Sequence, residues 1–149
     1  MREQAATVAQ DETMQISTFY LDETLCGIDI NLVQEINGDF SFTPVPLSDE
    51  SVLGVMNLRG QIVTVIDQGR RIGFAPVTIS PDSRVVIVRS QGESIGVVVD
   101  KVKEVITIDR NVISKPPSNI KGSQGKFFSG VVRTDRHELL ALLDIDEIL

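Results

Sequence analysis

Short runs of β-branched and aliphatic residues recur along the chain, each bounded by Gly, Asp, Asn, Ser or Pro. Runs of this length, separated by turn-forming residues, are typical of β-strands in an all-β domain. The pattern predicts strands near 14–21, 25–30, 33–42, 53–58, 61–66, 84–90, 94–99, 103–108, 127–133 and 138–143. Helical signal is confined to a short turn expected at Ser48–Glu50 and to the last six residues, where Asp144 is placed to cap one or two turns.

The chain also contains an internal repeat. The run Cys26–Ile30 matches Ile95–Val99, because each has a glycine followed by a strand-like apolar stretch. The same offset pairs Val33 with Val102, Glu35 with Glu104, and Ile36 with Val105. A second echo pairs Gly54-Val55 with Gly130-Val131, and Ile62–Asp67 with Leu139–Asp144 after a one-residue slip. Two echoes in the same order indicate a duplication with about five strands in each half.

A duplicated set of strands predicts an all-β fold of two five-stranded barrels packed side by side, followed by a short C-terminal helix. Closure into barrels removes exposed sheet edges, and the junction between two modules is a favoured place for binding. Residues 1–12 have no periodicity and are expected to be a flexible arm, which leaves 13–149 as the folded domain. We place subdomain one at about 13–67, a connector at 68–83 and subdomain two at about 84–149, with strand exchange between the subdomains left open.

Composition and charge narrow the range of partners. The 149 residues are 42% apolar and 23% charged, which suffices for a compact core without disulfides. The net charge of −7 argues against nucleic acid or an anionic membrane as the main partner. Met1–Asp11 lacks the apolar centre of a signal peptide, and no apolar run reaches the roughly 18 residues needed to insert across a bilayer. Cys26 is the single cysteine, which favours a cytoplasmic setting.

The residue types that carry chemistry do not assemble a catalytic motif. His137 lies in a polar turn, whereas Cys26 lies in an apolar strand and is expected to be a small buried hydrophobe. Gly122–Lys126 is too compact for a phosphate-binding loop and is expected to be a mobile loop. Asp67 and Asp144 occupy equivalent ends of the repeat, which predicts a strand-end or capping role for each. We therefore expect a non-enzyme without metal or cofactor, while a hydrolase that uses acidic residues in a barrel groove stays an open alternative.

The segment Gly54–Asp67 predicts a β-hairpin with Arg59 and Gly60 at its turn, since glycine permits the backbone that a tight turn needs. Arg59 is then either a solvated turn residue or a rigid donor fork suited to a partner's carboxylates or carbonyls. The residues by themselves favour the solvated interpretation slightly.

Three segments resemble signature stretches of the CheW family of chemotaxis coupling proteins: Asn57–Asp67, Cys26–Ile36 and Ile95–Val102. The resemblance runs from about Met14 to Leu149. It implies two SH3-like barrels forming a cytoplasmic adaptor, recruited to membrane-associated arrays, that joins the regulatory domain of the histidine kinase CheA to the cytoplasmic tips of methyl-accepting chemotaxis receptors. The alternative is a receptor-docking module of the CheV type acting without its receiver domain. One departure from the family is Gln68–Arg71, where the family usually has Asp-Leu-Arg, so the local turn is uncertain.

The resemblance also implies roles for individual residues. Receptor contacts are implied at the junction of the barrels, at Val33, Glu35, Arg59, Val86, Val102 and Val105. A kinase-facing surface is implied on an exposed edge of the first barrel, at Ile28, Ile30, Leu53, Gly54 and Val55. Structural turns are expected at Gly27, Gly60 and Gly96. Val86 is at the same time a candidate for a residue that only fills the barrel.

Overall fold

The structure is a computed structural model that describes residues 12–38, 41–46, 49–115 and 127–148. The strands are β1 (Thr13–Leu21), β2 (Thr24–Asp29), β3 (Val33–Asn37), β4 (Val52–Leu58), β5 (Gln61–Ile66), β6 (Arg84–Ser90), β7 (Glu93–Val99), β8 (Lys101–Asp109), β9 (Phe128–Arg133) and β10 (Leu139–Leu143). The short helices are α1 (Gln68–Arg71) and α2 (Ile145–Ile148), and the 3₁₀ turns are Ile30–Leu32 and Arg110–Val112.

The predicted strands are all present, and the all-β fold class is confirmed. The main difference is β3, which ends at Asn37, well before the predicted end at residue 42. The predicted C-terminal turn is α2. Near the other predicted turn, the Asp49 carboxylate accepts the Ser51 N–H at 2.8 Å, without forming a helix. Ser48, most of the expected N-terminal arm and the expected mobile loop at Gly122–Lys126 lie outside the described residues.

The strands form two five-stranded sheets, which we call sheet I, in the order β8-β1-β2-β10-β9, and sheet II, in the order β3-β6-β7-β5-β4. Sheet I joins the first two strands to the last three, so the sheets cut across the predicted division into 13–67 and 84–149. This is the strand exchange that the sequence left open. It arises because the 3₁₀ turn Ile30–Leu32 carries the chain from sheet I into sheet II, and the junction of β7 and β8 returns it.

The sequence repeat is visible in the pairing of the strands. Replacing each strand by its partner in the repeat (β1 by β6, β2 by β7, β8 by β3, β10 by β5 and β9 by β4) converts the order of sheet I into that of sheet II. The registers agree as well, since Val33 faces Val88 and the repeat-related Val102 faces Phe19. The two sheets are therefore related by an approximate symmetry of strand order and register.

Three apolar clusters hold the sheets. One lies within sheet II and includes Met56, Val63, Val65, Val85, Ile87 and Val98. A second lies within sheet I and includes Ile16, Leu25, Val132, Leu140 and Leu142. The third, which we call the inter-sheet core, draws residues from both sheets and both helical segments, including Phe19, Cys26, Ile28, Ile66, Ile72, Val86, Val97 and Ile145. Strands β6 and β7 are buried on both faces, which explains their continuous apolar sequence.

The three glycines predicted at turns divide into two groups. Gly60 does occupy a turn, with φ of 86°. Gly27 and Gly96 do not, because they lie inside β2 and β7 and are buried. A Cβ on Gly96 would lie 2.9 Å from Cγ1 of Val85, and one on Gly27 would overlap Ile16. These two glycines are corrected from turn residues to sites of close side-chain packing within a strand.

Candidate partner-binding site

The hairpin of β4 and β5 ends in a two-residue turn. Leu58 pairs with Gln61, which leaves Arg59 and Gly60 as the loop, with φ of 51° and 86°. Positive φ at both positions is the type I′ geometry that matches the twist of the flanking strands. The Asn57 side-chain carbonyl Oδ1 accepts the Gly60 N–H at 2.8 Å. The turn is thus closed by the strands and by one side chain, and it sets the direction in which Arg59 leaves the backbone.

The Arg59 guanidinium forms an ion pair with Glu35 of β3. Its Nη2 donates to Oε2 of Glu35 at 2.8 Å, and the side chains are 76% and 22% exposed respectively. Because β3 and β4 are the two edges of sheet II, this contact links one edge to the hairpin at the other. Sheet II is therefore curled so that its edges approach, as in an SH3-like barrel. Among the described residues, Oε1 of Glu35 is buried without a hydrogen-bond partner.

A β-bulge shapes the strand that carries Glu35. Val33 pairs with Val88 but Glu35 pairs with Ile87, so Gln34 is the extra residue. Bulges redirect side chains and bend the edge of a sheet. Val33 packs against the inter-sheet core, whereas Ile36, on the other side of Glu35, is 42% exposed. The site therefore combines the apolar Val33 at the junction of the sheets, the ion pair of Glu35 with Arg59, and the exposed aliphatic side chain of Ile36.

Sheet I repeats this arrangement on β8. The register of β8 on β1 shifts between Val102 and Val105, and Val102 packs against the inter-sheet core. Val105 is 51% exposed, like its counterpart Ile36. Glu104 lies 3.7 Å from Nη2 of Arg136, which occupies the turn between β9 and β10. The pair of Glu104 with Arg136 was not predicted from the sequence. Two sequence signals could have indicated it: the match of Glu35 with Glu104 in the repeat, and the presence of an arginine in each hairpin turn.

Exposed aliphatic residues complete both hairpins. Ile62 on β5 is 70% exposed, and its repeat-related position Leu139 on β10 is 61% exposed. Both were recognised from the sequence only as members of strands. Each hairpin therefore presents one exposed aliphatic side chain at an equivalent position of the repeat.

One residue predicted to contact the receptor does not lie on a surface. Val86 is 0% exposed and belongs to the inter-sheet core, because β6 is a central strand covered on both faces. Its side chain is corrected to a core residue. The other five predicted residues lie on the edge strands β3 and β8 or in the β4–β5 turn. Of these, the structure brings Glu35 and Arg59 into direct contact and places Val33 and Val102 against the same core.

The residues predicted for the kinase-facing surface do not form one edge. Ile28 is 1% exposed and packs in the inter-sheet core from sheet I. Gly54 is buried beneath the backbone of Thr43, so neither residue presents a side-chain surface. Ile30, Leu53 and Val55 are half-buried. Leu53 and Val55 lie on the edge strand β4 and Ile30 lies in the 3₁₀ turn that follows β2, and these three residues remain candidates for the kinase-facing surface.

Burial and hydrogen bonding shift the pKa values of Cys26 and Tyr20. Cys26 is fully buried, and burial raises the pKa of its thiol to about 12. The Tyr20 hydroxyl donates to Glu138 at 2.9 Å, and this hydrogen bond raises the pKa of Tyr20. His137 is exposed in a turn. No group of three His, Cys, Asp or Glu side chains among the described residues is placed to hold a metal ion.

The capping roles predicted for two aspartates are confirmed. Asp67 Oδ1 accepts the Arg70 N–H at 3.1 Å at the start of α1. Asp144 Oδ1 accepts the Glu147 N–H at 3.3 Å at the start of α2. The segment Gln68–Arg71, whose local structure the sequence left uncertain, is thus a short capped helix.

Two clefts border the part of the chain that the structure describes. One cleft of about 590 Å³ lies beside the edge strands β8 and β9 of sheet I, and its lining includes the carboxylates of Glu104, Asp109, Asp135 and Glu138. Of these, Glu104 contacts Arg136 and Glu138 accepts a hydrogen bond from Tyr20. A second cavity of about 460 Å³ adjoins α1 and is lined mainly by charged residues. In the part of the chain that the structure describes, no helix has the length and hydrophobicity of a membrane span.

Known proteins resemble this chain over nearly its whole length. The sequence profile of the CheW-like domain matches residues 15–149. The chemotaxis protein CheW of Treponema pallidum is 31% identical over 142 residues, covering 93% of this chain and 83% of that protein. This chain is also similar to the crystal structure of the scaffolding protein TtCheW from Thermoanaerobacter tengcongensis, with 38% sequence identity and a TM-score of 0.81. The match covers 89% of this chain and 84% of that one.

A more distant match bears on the CheV-type alternative. The chemotaxis protein CheV3 of Helicobacter pylori is 25% identical over 129 residues, and the chain spans 42% of its length. The stronger matches therefore confirm the resemblance that the three sequence motifs indicated, and they favour it over the alternative.

Proposed function

The chain belongs to the CheW-like domain family and is a chemotaxis scaffold, and from this premise we propose that it couples the histidine kinase CheA to the cytoplasmic tips of methyl-accepting chemotaxis receptors. Its action is binding rather than bond-making. Two partners held on one rigid body meet at a high effective concentration and in a fixed relative orientation. Recruitment of this cytoplasmic chain to receptor arrays follows from those contacts.

The observation that carries the proposal is the fixed, exposed arginine of the β4–β5 turn. Arg59 keeps most of its guanidinium in solvent while one N–H anchors it to Glu35. A guanidinium held in this way offers directed donors to a partner's carboxylate or carbonyl groups. Ile36 and Ile62 supply exposed aliphatic surface on the same sheet. This combination suits an amphipathic helix that lays its apolar face on the barrel and takes its register from the ion pair.

The two partners are assigned to different parts of the molecule. The receptor tip contacts Val33, Glu35, Arg59, Val102 and Val105, which lie on the edge strands and the hairpin turn. The kinase regulatory domain contacts the half-buried residues of the predicted set, Ile30, Leu53 and Val55. Two receptor states that bind the first surface with different affinities then act differently on the kinase bound at the second surface. A scaffold can transmit a signal only through such a difference in binding affinity.

Isothermal titration with the soluble tip fragment of a chemoreceptor, and separately with the regulatory domain of CheA, tests the proposal. We expect Arg59→Ala to weaken receptor binding by about tenfold or more, because it removes hydrogen bonds from a charged donor. Its effect on folding should be small, about 1 kcal/mol or less, since exposed ion pairs contribute little to stability. Arg70→Ala removes another exposed arginine–glutamate pair, that of Arg70 with Glu50 at 2.9 Å, and is the control. It should leave receptor binding near the wild-type value, because neither residue belongs to the proposed receptor surface.

The outcomes separate the interpretations. Binding of the wild-type chain to neither fragment would remove the adaptor proposal. A large loss of stability in Arg59→Ala together with normal receptor binding would make Arg59 a structural residue. Equal losses in Arg59→Ala and Arg70→Ala would show that the receptor surface is not centred on the β4–β5 turn.

A further inference from the structure

We propose that Asn57 is a positioning residue for Arg59, and that it acts on partner binding only through that arginine; its effect on binding rests on the function proposed above. Arg59 has φ of 51°, in the left-handed region that side chains other than glycine, asparagine and aspartate rarely adopt. An arginine at the first position of a type I′ turn is therefore held there by its surroundings. The strand pairing supplies part of that constraint, and Asn57 supplies the rest.

The contact that Asn57 makes is directed at the turn itself. Its Oδ1 accepts the N–H of Gly60, the residue directly after Arg59, at 2.8 Å. The backbone of Asn57 pairs with Ile62, and its side chain is exposed, so it is not part of a core. The burial on this strand is carried by its neighbours Met56 and Leu58, which are 4% and 8% exposed. The Asn57 side chain thus stabilises the turn and does not contribute to the packing of β4.

Arg59 is consequently fixed at both ends. Asn57 restrains the backbone from which the side chain leaves, and Glu35 holds the guanidinium at 2.8 Å. A partner that meets a side chain already in its bound orientation does not lose the free energy of ordering it. Removing the asparagine amide leaves the guanidinium chemistry unchanged but lets the turn sample other conformations. Partner binding then weakens although no contacting atom has been removed.

The approximate symmetry of the molecule provides a matched control. In the turn between β9 and β10, Thr134 Oγ1 accepts the N–H of Glu138 at 3.2 Å, a side-chain-to-backbone bond of the same kind. The residue with positive φ in that turn is His137, at 63°, rather than the ion-paired Arg136. Thr134→Ala therefore removes a comparable turn bond without releasing Arg59.

The test combines receptor-tip titration with NMR of the free protein. We expect Asn57→Ala to weaken binding by about three- to tenfold, the range that corresponds to one neutral hydrogen bond. Asn57→Asp keeps an acceptor oxygen at the same place and should restore binding, and Thr134→Ala should have no effect on it. In an Arg59→Ala background, Asn57→Ala should add no further loss. In free Asn57→Ala protein, the Gly60 amide proton should exchange faster with solvent than in the wild type. The three-bond coupling between the amide proton and the α-proton of Arg59, which reports the φ angle, should move away from its wild-type value.

Each result decides the proposal. An unchanged Gly60 exchange rate and Arg59 coupling in Asn57→Ala would overturn it, and this readout needs no partner. An additional binding loss in the Arg59→Ala background would mean that Asn57 contacts the partner directly and does not act through Arg59. If the wild-type chain fails to bind the receptor tip, the proposed function fails, and the NMR comparison still decides whether Asn57 holds the turn.

Discussion

Gln68 is a buried amide at a position where the other half of the chain has an isoleucine. It is 0% exposed, and within the described residues neither its Oε1 nor its Nε2 has a hydrogen-bond partner. Its counterpart Ile145, which likewise follows a capping aspartate, packs in the inter-sheet core. An unsatisfied buried polar group costs about 1–3 kcal/mol. We therefore expect Gln68→Leu to raise the free energy of unfolding by about 1–3 kcal/mol in urea denaturation.

Two substitutions separate the effect of the size of the Gln68 side chain on stability from the effect of its polarity. Gln68→Asn keeps an amide but is shorter, so it should lower the free energy of unfolding by leaving a void. Gln68→Leu should raise the midpoint of unfolding without changing the denaturant slope, because the fold and its buried surface are retained. A loss of stability in Gln68→Leu would contradict the prediction and would mean that the amide is satisfied in solution.

At the scale of the hairpin, two glycines differ in why they are needed. A Cβ on Gly54 would overlap the carbonyl oxygen of Thr43 and lie 2.7 Å from its carbonyl carbon. That carbonyl accepts the Val55 N–H at 2.8 Å, so the backbone cannot yield without losing the bond. Gly60 has open space around it and only the strain of φ at 86°. We expect Gly54→Ala to lower the free energy of unfolding by about 3 kcal/mol and Gly60→Ala by about 1–2 kcal/mol.

Thermal and urea denaturation of the two variants checks this order. If Gly60→Ala were the more harmful change, the close approach of Thr43 to β4 would not persist in solution. The repeat-related Gly130→Ala provides a comparison, since its Cβ would lie 3.0 Å from the carbonyl oxygen of Ser114. It should resemble Gly54→Ala.

The strands were predictable because their signals are local. Runs of valine and isoleucine between turn residues fix where a strand begins and ends, and Asp144 marks the start of the C-terminal helix by the same logic. The choice of pairing partner is not local, so the sequence did not decide between consecutive barrels and exchanged strands. Whether the side chains of Ile28 and Val86 point inward or outward could not be assigned from the sequence either. Both residues lie on central strands covered on both faces, and such a strand has no outward side. The role of Asn57 was missed because it depends on a contact that only the folded chain creates, whereas the pairing of Glu104 with Arg136 had a signal in the repeat that was not used.

Across the whole molecule, the exchange of strands makes the two halves of the sequence dependent on each other. Four strand pairs, β1–β8, β2–β10, β3–β6 and β5–β7, join a strand before the connector to one after it. The inter-sheet core likewise mixes residues from both halves, such as Phe19 and Cys26 with Val86 and Val97. Either half alone would retain only neighbouring hairpins, which are marginally stable in water.

A division of the chain in the connector therefore gives a sharp test of the topology. Fragments 1–79 and 80–149, cut beside the 45% exposed Ile79, should each lack cooperative unfolding and dispersed NMR signals. Mixed in equal amounts, they should form a complex whose thermal transition is cooperative and depends on concentration, because partner strands are then supplied in trans. Consecutive barrels would behave differently, since fragment 1–79 would contain one complete barrel. A monomeric fragment 1–79 that unfolds cooperatively by itself would contradict the exchanged arrangement, whereas reconstitution from two unfolded halves requires it.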